Sequence, residues 1–154
     1  MIALRPFERA DAYPLWLWAN DPATRRASGD RAEIAWDGHR RWLEAWLASD
    51  AAVGFVAMEE DRPVGSIRFD TQDRWATARL SYVIAPEARG RGLGGELLRL
   101  GCERLLAAHP GAELEAQVRG DNEASARLFR RLGWRVDGSA ASGWTFRVGP
   151  GAQP

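Results

Sequence analysis

Apolar and polar positions along the chain repeat with two different periods, which separate predicted strands from predicted helices. Short apolar or alternating runs rich in Val, Ile and aromatic residues predict seven strands. The strands cover residues 2–7, 52–60, 63–70, 76–86, 112–118, 134–139 and 143–149. Apolar residues spaced three and four apart predict four helices. The helices cover residues 10–21, 34–49, 94–108 and 121–133, and the polar stretch 21–33 is predicted to be a loop.

Two of the predicted helices carry an apolar stripe that should face the core. The stripe of the second helix consists of Trp42, Leu43, Trp46 and Leu47. The inward positions of the third helix are Leu97, Leu98, Leu105 and Leu106. At the fourth helix, Asp121 is the expected N-cap and Gly133 the expected C-terminal stop.

The order of the elements predicts an α/β fold with a mixed sheet. Three hairpin-linked antiparallel strands come first, and a β-α-β-α-β half follows them. At 154 residues, the chain is long enough for one domain with a sizeable core. We expect that domain to span residues 1–148 and to be followed by a flexible tail at 149–154.

Composition excludes several classes of function. With 21 basic and 21 acidic residues, the chain has no net charge, which argues against a broad surface for nucleic acid or membrane. The first residues lack an apolar leader, and no apolar run reaches the ~20 residues of a membrane span. The single cysteine, Cys102, forms no intramolecular disulfide and is expected to be a small buried hydrophobe. We therefore expect a cytoplasmic protein.

The most informative stretch is the junction between the strand at 76–86 and the helix at 94–108. Between Arg89 and Gly95 it contains two arginines and four glycines. Glycines allow backbone N–H groups to converge on a ligand, and a helix N-terminus adds about half a positive charge. Arg89 and Arg91 bring side-chain donors to the same place. The junction is therefore predicted to be a phosphate cradle.

Three phosphate-binding motifs compete for this stretch. A Walker loop needs a lysine, and the chain has none. The dinucleotide fingerprint G-x-G-x-x-G is matched by Gly90, Gly92 and Gly95, but its first glycine should follow the strand directly. Here residues 86–89 intervene. The third motif, V-x-x-P-x-x-R-G-x-G-x-G, uses the whole stretch.

This third motif resembles motif A of the GNAT N-acetyltransferase superfamily, which the run from Arg89 to Gly94 matches. The resemblance continues in the segment "NEASARLFRRLGW", and the order of elements matches as well. The matching positions of that segment are Asn122, Ser125, Leu128, Gly133 and Trp134. The resemblance implies a GNAT fold in which the two central strands splay apart.

The resemblance also implies acetyl-CoA as the acyl donor and no metal. Its pyrophosphate is expected on the amides of residues 91–95, and its pantetheine arm beside the strand at 81–84. A backbone N–H near Val83 or Ile84 would stabilise the negative charge that develops on the thioester oxygen. The expected cofactor-binding residues are Val83, Ile84, Arg89, Gly90, Arg91, Gly92, Leu93, Gly94, Gly95, Asn122, Ser125 and Phe129.

Two positions depart from the pattern of the superfamily. Phe129 stands where many members have a tyrosine that is assigned to protonate the leaving thiolate. Arg79 stands close to the position of a glutamate that many relatives use as a base. The remaining candidates for the base are Tyr82, His39, Asp70 and Glu33. Together with the Val83 amide, Tyr82 and His39 are the expected catalytic groups.

The first two helices, their loop and the central hairpin are expected to bind the acceptor amine. They resemble a branch that acetylates nucleotide-linked amino sugars in nonulosonic-acid biosynthesis. The expected acceptor-binding residues are Asn20, Arg25, His39, Trp42, Arg68 and Tyr82. The alternatives are a protein N-terminus, as in ribosomal-protein acetyltransferases, an antibiotic or other small molecule, or no acceptor in a silent acetyl-CoA sensor. Either a monomer or a homodimer fits the sequence.

Overall fold

The computed structural model describes residues 1–150 and contains one seven-stranded sheet. The strands are β1 (Ala3–Pro6), β2 (Ala52–Glu59), β3 (Arg62–Asp70), β4 (Thr77–Ile84), β5 (Glu113–Val118), β6 (Arg135–Ser139) and β7 (Gly143–Val148). Their order in the sheet is β1-β2-β3-β4-β5-β7-β6. Only β4 and β5 run parallel among these strands, so the mixed α/β sheet that the sequence predicts is confirmed.

Five α-helices accompany the sheet in the described residues. They are α1 (Ala12–Asn20), α2 (Pro22–Ser28), α3 (Trp36–Ala48), α4 (Leu93–Ala108) and α5 (Glu123–Arg131). Short 3-10 turns at Arg9–Asp11 and Pro86–Ala88 precede α1 and the glycine stretch. No helix in residues 1–150 is long and apolar enough to cross a membrane.

The helices lie on both faces of the sheet. On β3, Ile67 packs under α4 so closely that a Cβ on Gly101 would lie 2.7 Å from it. The next residue, Arg68, places its guanidinium over Trp42 of α3. Because successive strand residues point to opposite faces, α4 covers one face and α3 the other. The largest fully buried side chains include Phe69, Phe129, Phe146, Leu43, Leu97, Leu98 and Leu105.

Cys102 is fully buried in α4, as the sequence predicts. Burial, with a smaller contribution from the negative charge of Glu103, raises the pKa of its thiol to about 12. At neutral pH this thiol is protonated and inert, so it contributes packing rather than chemistry.

The predicted loop at 21–33 is wrong, because part of it forms helix α2. Asp21 accepts a hydrogen bond from the Thr24 N–H at 3.3 Å, and Pro22 occupies the first helical position. Gly29, with φ at +85°, ends the helix. Local capping therefore defines this helix, although it has no apolar stripe that periodicity could detect.

Two smaller predictions also need correction. The N-cap of α5 is Asn122 rather than Asp121, since the Asn122 side chain accepts the Ser125 N–H at 3.3 Å. Leu47 was expected to face the core and is instead 39% exposed. The predicted C-terminal stop at Gly133 is confirmed, with φ at +80°. The last four residues of the tail predicted at 149–154 lie outside the described residues.

Candidate functional site

The centre of the sheet contains a gap between β4 and β5. The two strands pair only where Thr77–Arg79 meets Glu113–Glu115, and β4 continues beyond that point without a partner on this side. Beyond Glu115, β5 pairs with β7 alone among the described strands. The splayed central strands that the sequence predicts are therefore confirmed.

The free edge of β4 offers backbone groups to this gap. Ala85 donates its N–H to the Val64 carbonyl at 2.9 Å, which marks a hydrogen-bonded pair between β4 and β3. Antiparallel pairs alternate, so the N–H of Val83 also points to β3, and those of Tyr82 and Ile84 point into the gap. The expected role of Val83 as an N–H donor is thus corrected, because its N–H lies in the β3 ladder. Ile84 remains a donor and Tyr82 joins it.

The glycine loop lies at the mouth of the gap. Gly90 and Gly92 both have φ at +76°, which side chains other than glycine rarely adopt. A Cβ at either position would meet no atom within 4 Å, so the space above the loop is open. The helix then begins at Leu93 without a side-chain cap, which leaves its first N–H groups available to a ligand.

Gly94 and Gly95 have a different role in the same loop. A Cβ on Gly94 would lie 3.3 Å from Leu128, and one on Gly95 would lie 3.7 Å from it. The two glycines therefore let α5 approach the first turn of α4. This contact brings the two predicted cofactor motifs together at one end of the gap.

Both arginines of the loop form ion pairs. Arg89 lies 2.9 Å from the Asp21 carboxylate and also donates to the Thr24 hydroxyl, which connects the loop to α2. Arg91 donates to Glu59 at 3.1 Å. Burial raises the pKa of Asp21, but the hydrogen bond and the charge of Arg89 outweigh it and lower the pKa overall. The structure thus places both arginines beside the cradle and engages them with carboxylates.

On the α5 side, a hydrogen bond crosses from β4. The Tyr82 hydroxyl lies 2.8 Å from the Ser125 hydroxyl, and the Tyr82 ring meets Phe129 edge-on at 6.1 Å. Burial raises the pKa of Tyr82, although the hydrogen bond to Ser125 opposes the shift. Tyr82 is therefore a neutral phenol at neutral pH and an unfavourable base. Phe129 is 1% exposed and stacks on Phe146 at 5.1 Å.

The opposite face of the gap is open. Arg68 and Ser81 lie directly across from each other on β3 and β4, and both are exposed although they occupy the middle of the sheet. The guanidinium of Arg68 lies 5.1 Å from the ring of Trp42 and 5.7 Å from the ring of Trp46. These four residues outline an opening on the side of the sheet that carries α1 and α3.

His39 lies in the aromatic packing beside this opening. It is 5% exposed between Trp36 and Trp42, and its Nε2 has no hydrogen-bond partner in the described residues. Burial lowers the pKa of His39, a hydrogen bond to the Ala12 backbone opposes the shift, and the charge of Arg68 adds to it. The ring is therefore neutral at neutral pH, with a free acceptor nitrogen.

Two other predicted acceptor residues are engaged with the backbone. The Asn20 amide donates to the Ile34 carbonyl at 3.0 Å and accepts the Ile34 N–H at 2.8 Å. Both ends of that side chain hold the loop before α3, which gives Asn20 a structural role, and its contact with an acceptor stays a prediction. Arg25 donates to the carbonyls of Ala19 at 2.6 Å and Asp30 at 3.4 Å.

The structure adds one residue that sequence reasoning missed. Glu115 lies at the last paired position of β5, where the gap begins, and binds Arg147 at 3.3 Å. The sequence signal for Glu115 is its place in the predicted strand at 112–118, but the pairing register is needed to locate the gap.

Two candidate bases named from the sequence lie elsewhere. Asp70 pairs with Arg79 at 3.4 Å, and Glu33 lines an open cleft of about 460 Å³ beside α1. No group of three potential metal ligands occurs within residues 1–150.

The comparison with protein families agrees with this geometry. The family described as "Acetyltransferase (GNAT) domain" matches residues 2–135 of the chain. The chain belongs to the GNAT acetyltransferase family. This match includes the glycine loop, the gap and α5, so the superfamily that motif A predicts is confirmed.

Curated relatives of this GNAT chain include two mycothiol acetyltransferases. The protein from Mycolicibacterium vanbaalenii is 36% identical over 101 residues, which cover 60% of this chain and 32% of the relative. The protein from Kytococcus sedentarius is 30% identical over 139 residues, which cover 86% of this chain and 45% of the relative. The chain thus spans less than half the length of these relatives.

Solved structures share the GNAT fold at low sequence identity. Spermidine N-acetyltransferase from Vibrio cholerae, in complex with CoA and spermine, has a TM-score of 0.84 at 15% identity, covering 95% of this chain and 93% of that chain. The aminoglycoside acetyltransferase AAC(6')-Ib, in complex with coenzyme A, has a TM-score of 0.80 at 18% identity, covering 97% and 95%. None of these proteins singles out the nucleotide-linked amino-sugar branch.

Proposed function

We propose that this GNAT domain transfers an acetyl group from acetyl-CoA to a small-molecule amine. The observation that carries the proposal is the glycine loop, whose free N–H groups lie at the mouth of a gap lined by unpaired strand N–H groups. Phosphate suits the first feature and an extended amide-containing arm suits the second. The solved relatives in complex with coenzyme A support the same donor.

The residues present fit this donor. The amides of residues 92–95 would hold the pyrophosphate, and the edge of β4 would hold the pantetheine arm. Donation from the N–H of Tyr82 or Ile84 to the thioester oxygen would stabilise the tetrahedral transition state. Because Phe129 has no hydroxyl, the departing thiolate takes its proton from another group. The thiol has an ordinary pKa of about 8.5, so it leaves tolerably well as a thiolate.

The acceptor would enter from the α1–α3 side, where Arg68 and Ser81 are exposed. On this side Arg25, Trp42 and Arg68 remain the proposed contacts, with His39 behind the aromatic rings. A nucleotide-linked amino sugar is our specific proposal for the acceptor. The names of the relatives, which refer to mycothiol, spermidine and aminoglycosides, support a small-molecule amine more than a protein N-terminus.

The amine must lose a proton before it attacks the thioester. His39 is the proposed base, because it is neutral and its Nε2 is free. Its burial means that a water molecule would relay the proton. We assign Tyr82 a positioning role, in which its hydroxyl holds α5 against β4.

A thioester-consumption assay with three panels of acceptors tests the proposal. The panels are UDP-amino sugars, short peptides with free N-termini, and aminoglycosides together with polyamines. We expect turnover with the first panel. Turnover confined to peptides would replace the small-molecule acceptor with a protein N-terminus. If no panel gives turnover and calorimetry still shows acetyl-CoA binding, the chain would be a cofactor sensor.

A further inference from the structure

Arg68 is a charged side chain without a carboxylate partner. Among residues 1–150, no Asp or Glu oxygen lies within 4 Å of its guanidinium, and its close neighbours are the rings of Trp42 and Trp46. The adjacent carboxylate on the same strand, Asp70, is paired with Arg79. Arg68 is exposed on the face of the sheet that carries α3.

Arg25 is a second positive charge near Arg68, and no carboxylate among residues 1–150 neutralises it. Its guanidinium donates to the carbonyls of Ala19 and Asp30, which fix its position without compensating its charge. The surrounding protein lowers the pKa of Arg68, Asp70 opposes the shift, and the charge of Arg25 adds to it. Both side chains are positively charged, so an anion bound by Arg68 would be attracted by Arg25 as well.

Unpartnered polar groups lie around the same opening. Nε2 of His39 and Nε1 of Trp46 are both buried without a hydrogen-bond partner in the described residues. The His39 ring is 5.4 Å from Trp42, which in turn is 5.3 Å from Trp46. Buried polar groups are usually satisfied, so ordered water is expected beside these two atoms, which have almost no accessible surface of their own.

We propose that Arg25 and Arg68 form an anion subsite that binds a phosphate or carboxylate group of the acceptor. This inference rests on the proposed acetyl transfer and narrows its acceptor to amines that also carry an acidic group. Arginine suits such groups because its planar fork binds them in two places. Two uncompensated positive charges disfavour polycationic acceptors such as spermidine and kanamycin.

Calorimetry with simple anions tests the subsite separately from catalysis. The titrant is inorganic pyrophosphate, or succinate as the carboxylate arm, and the protein is saturated with CoA so that the glycine loop is occupied. We expect one saturable site that weakens about tenfold or more in both Arg68→Gln and Arg25→Gln, and that weakens as salt is added. Arg62→Gln, an exposed arginine on the same strand, should bind as the native chain does.

The outcomes separate this inference from the proposed function. No saturable binding to the native chain, or equal binding by Arg68→Gln, would overturn the subsite even if acetyl-CoA binds normally. Pyrophosphate binding that persists in Gly92→Asp and disappears in the double variant Gly92→Asp, Arg68→Gln would support the subsite, whatever happens to CoA. If only pyrophosphate binds, the subsite is selective for phosphate; if only succinate binds, it is selective for carboxylate. Circular dichroism of each variant confirms that it is folded.

Discussion

The hydroxyl groups of Tyr82 and Ser125 lie 2.8 Å apart and connect β4 to α5 at the place where β4 and β5 have separated. This hydrogen bond bridges the two elements on the side of the sheet that carries α4 and α5. On the other side, Arg68 and Ser81 remain exposed. The face that carries α1 and α3 is therefore the side from which an acceptor can reach the gap.

Removing the Tyr82 hydroxyl should cost stability more than activity. Tyr82→Phe and Ser125→Ala are each expected to lower the free energy of unfolding by about 1 kcal/mol, and the double variant should lose less than the sum. A denaturant double-mutant cycle measures the coupling. Because the pKa of Tyr82 is raised, Tyr82→Phe should keep the pH profile of kcat. A loss of more than about 100-fold would identify Tyr82 as the base instead.

Gly92→Asp should abolish acetyl-CoA binding at micromolar concentrations. The substitution puts a negative charge at the start of α4 and a side chain at φ +76°, where the space is otherwise open. Calorimetry measures the affinity. Gly92→Ala separates backbone strain from charge, and Gly111→Asp, at another glycine with open space, controls for the added carboxylate. Undiminished acetyl-CoA binding by Gly92→Asp would contradict the assignment of the glycine loop as the phosphate-binding site.

If the site uses no tyrosine acid, as we propose, Phe129→Tyr should leave turnover unchanged or raise it modestly. The ring is 1% exposed and packs against Trp134 at 5.0 Å, so an added hydroxyl without a partner would lower the free energy of unfolding by about 1–3 kcal/mol. Turnover and thermal unfolding of the same variant measure the two effects. A loss of turnover near 10²-fold, about 2.7 kcal/mol, would contradict our description of the site.

The free energy of unfolding should fall as the pH drops below 6.5, the ordinary pKa of histidine. The pKa of His39 is lowered in the folded chain, so the unfolded chain binds more protons in this range and acid favours it. The loss should be complete once the pH lies below the folded pKa. Urea unfolding between pH 5 and pH 8 measures the slope, and His39→Gln should reduce it. An unchanged slope in the variant would mean that His39 is not the group responsible.

Most of the fold could be predicted from periodicity, and the exceptions have local causes. The stripes of α3 and α4 identified those helices, whereas α2 has capping residues but no stripe. Asp121 and Asn122 are both good N-caps, and only the geometry of the Ser125 N–H selects Asn122. Such choices depend on a single hydrogen bond, which the pattern of apolar residues does not encode.

The parts of the site that lie within one segment could be predicted from the sequence. The parts formed by segments distant in the sequence could not. The glycine loop is local, so its position at the start of α4 followed from the sequence. The partners of Arg89 and Arg91 come from α2 and β2, and they could not be read from the loop. Asn20 looked available for a ligand because its bonds to Ile34 depend on how the following loop folds.

The gap in the sheet also has a consequence for local motion. In the described sheet, the N–H groups of Tyr82 and Ile84 have no strand partner. Without a ligand they therefore lack the protection from exchange with solvent deuterium that Ser81 and Val83 receive from β3. An extended ligand arm that accepts hydrogen bonds from these two N–H groups would act as a removable strand. Donor occupancy would then be visible amide by amide as slowed deuterium uptake, even in a variant that turns over no acceptor.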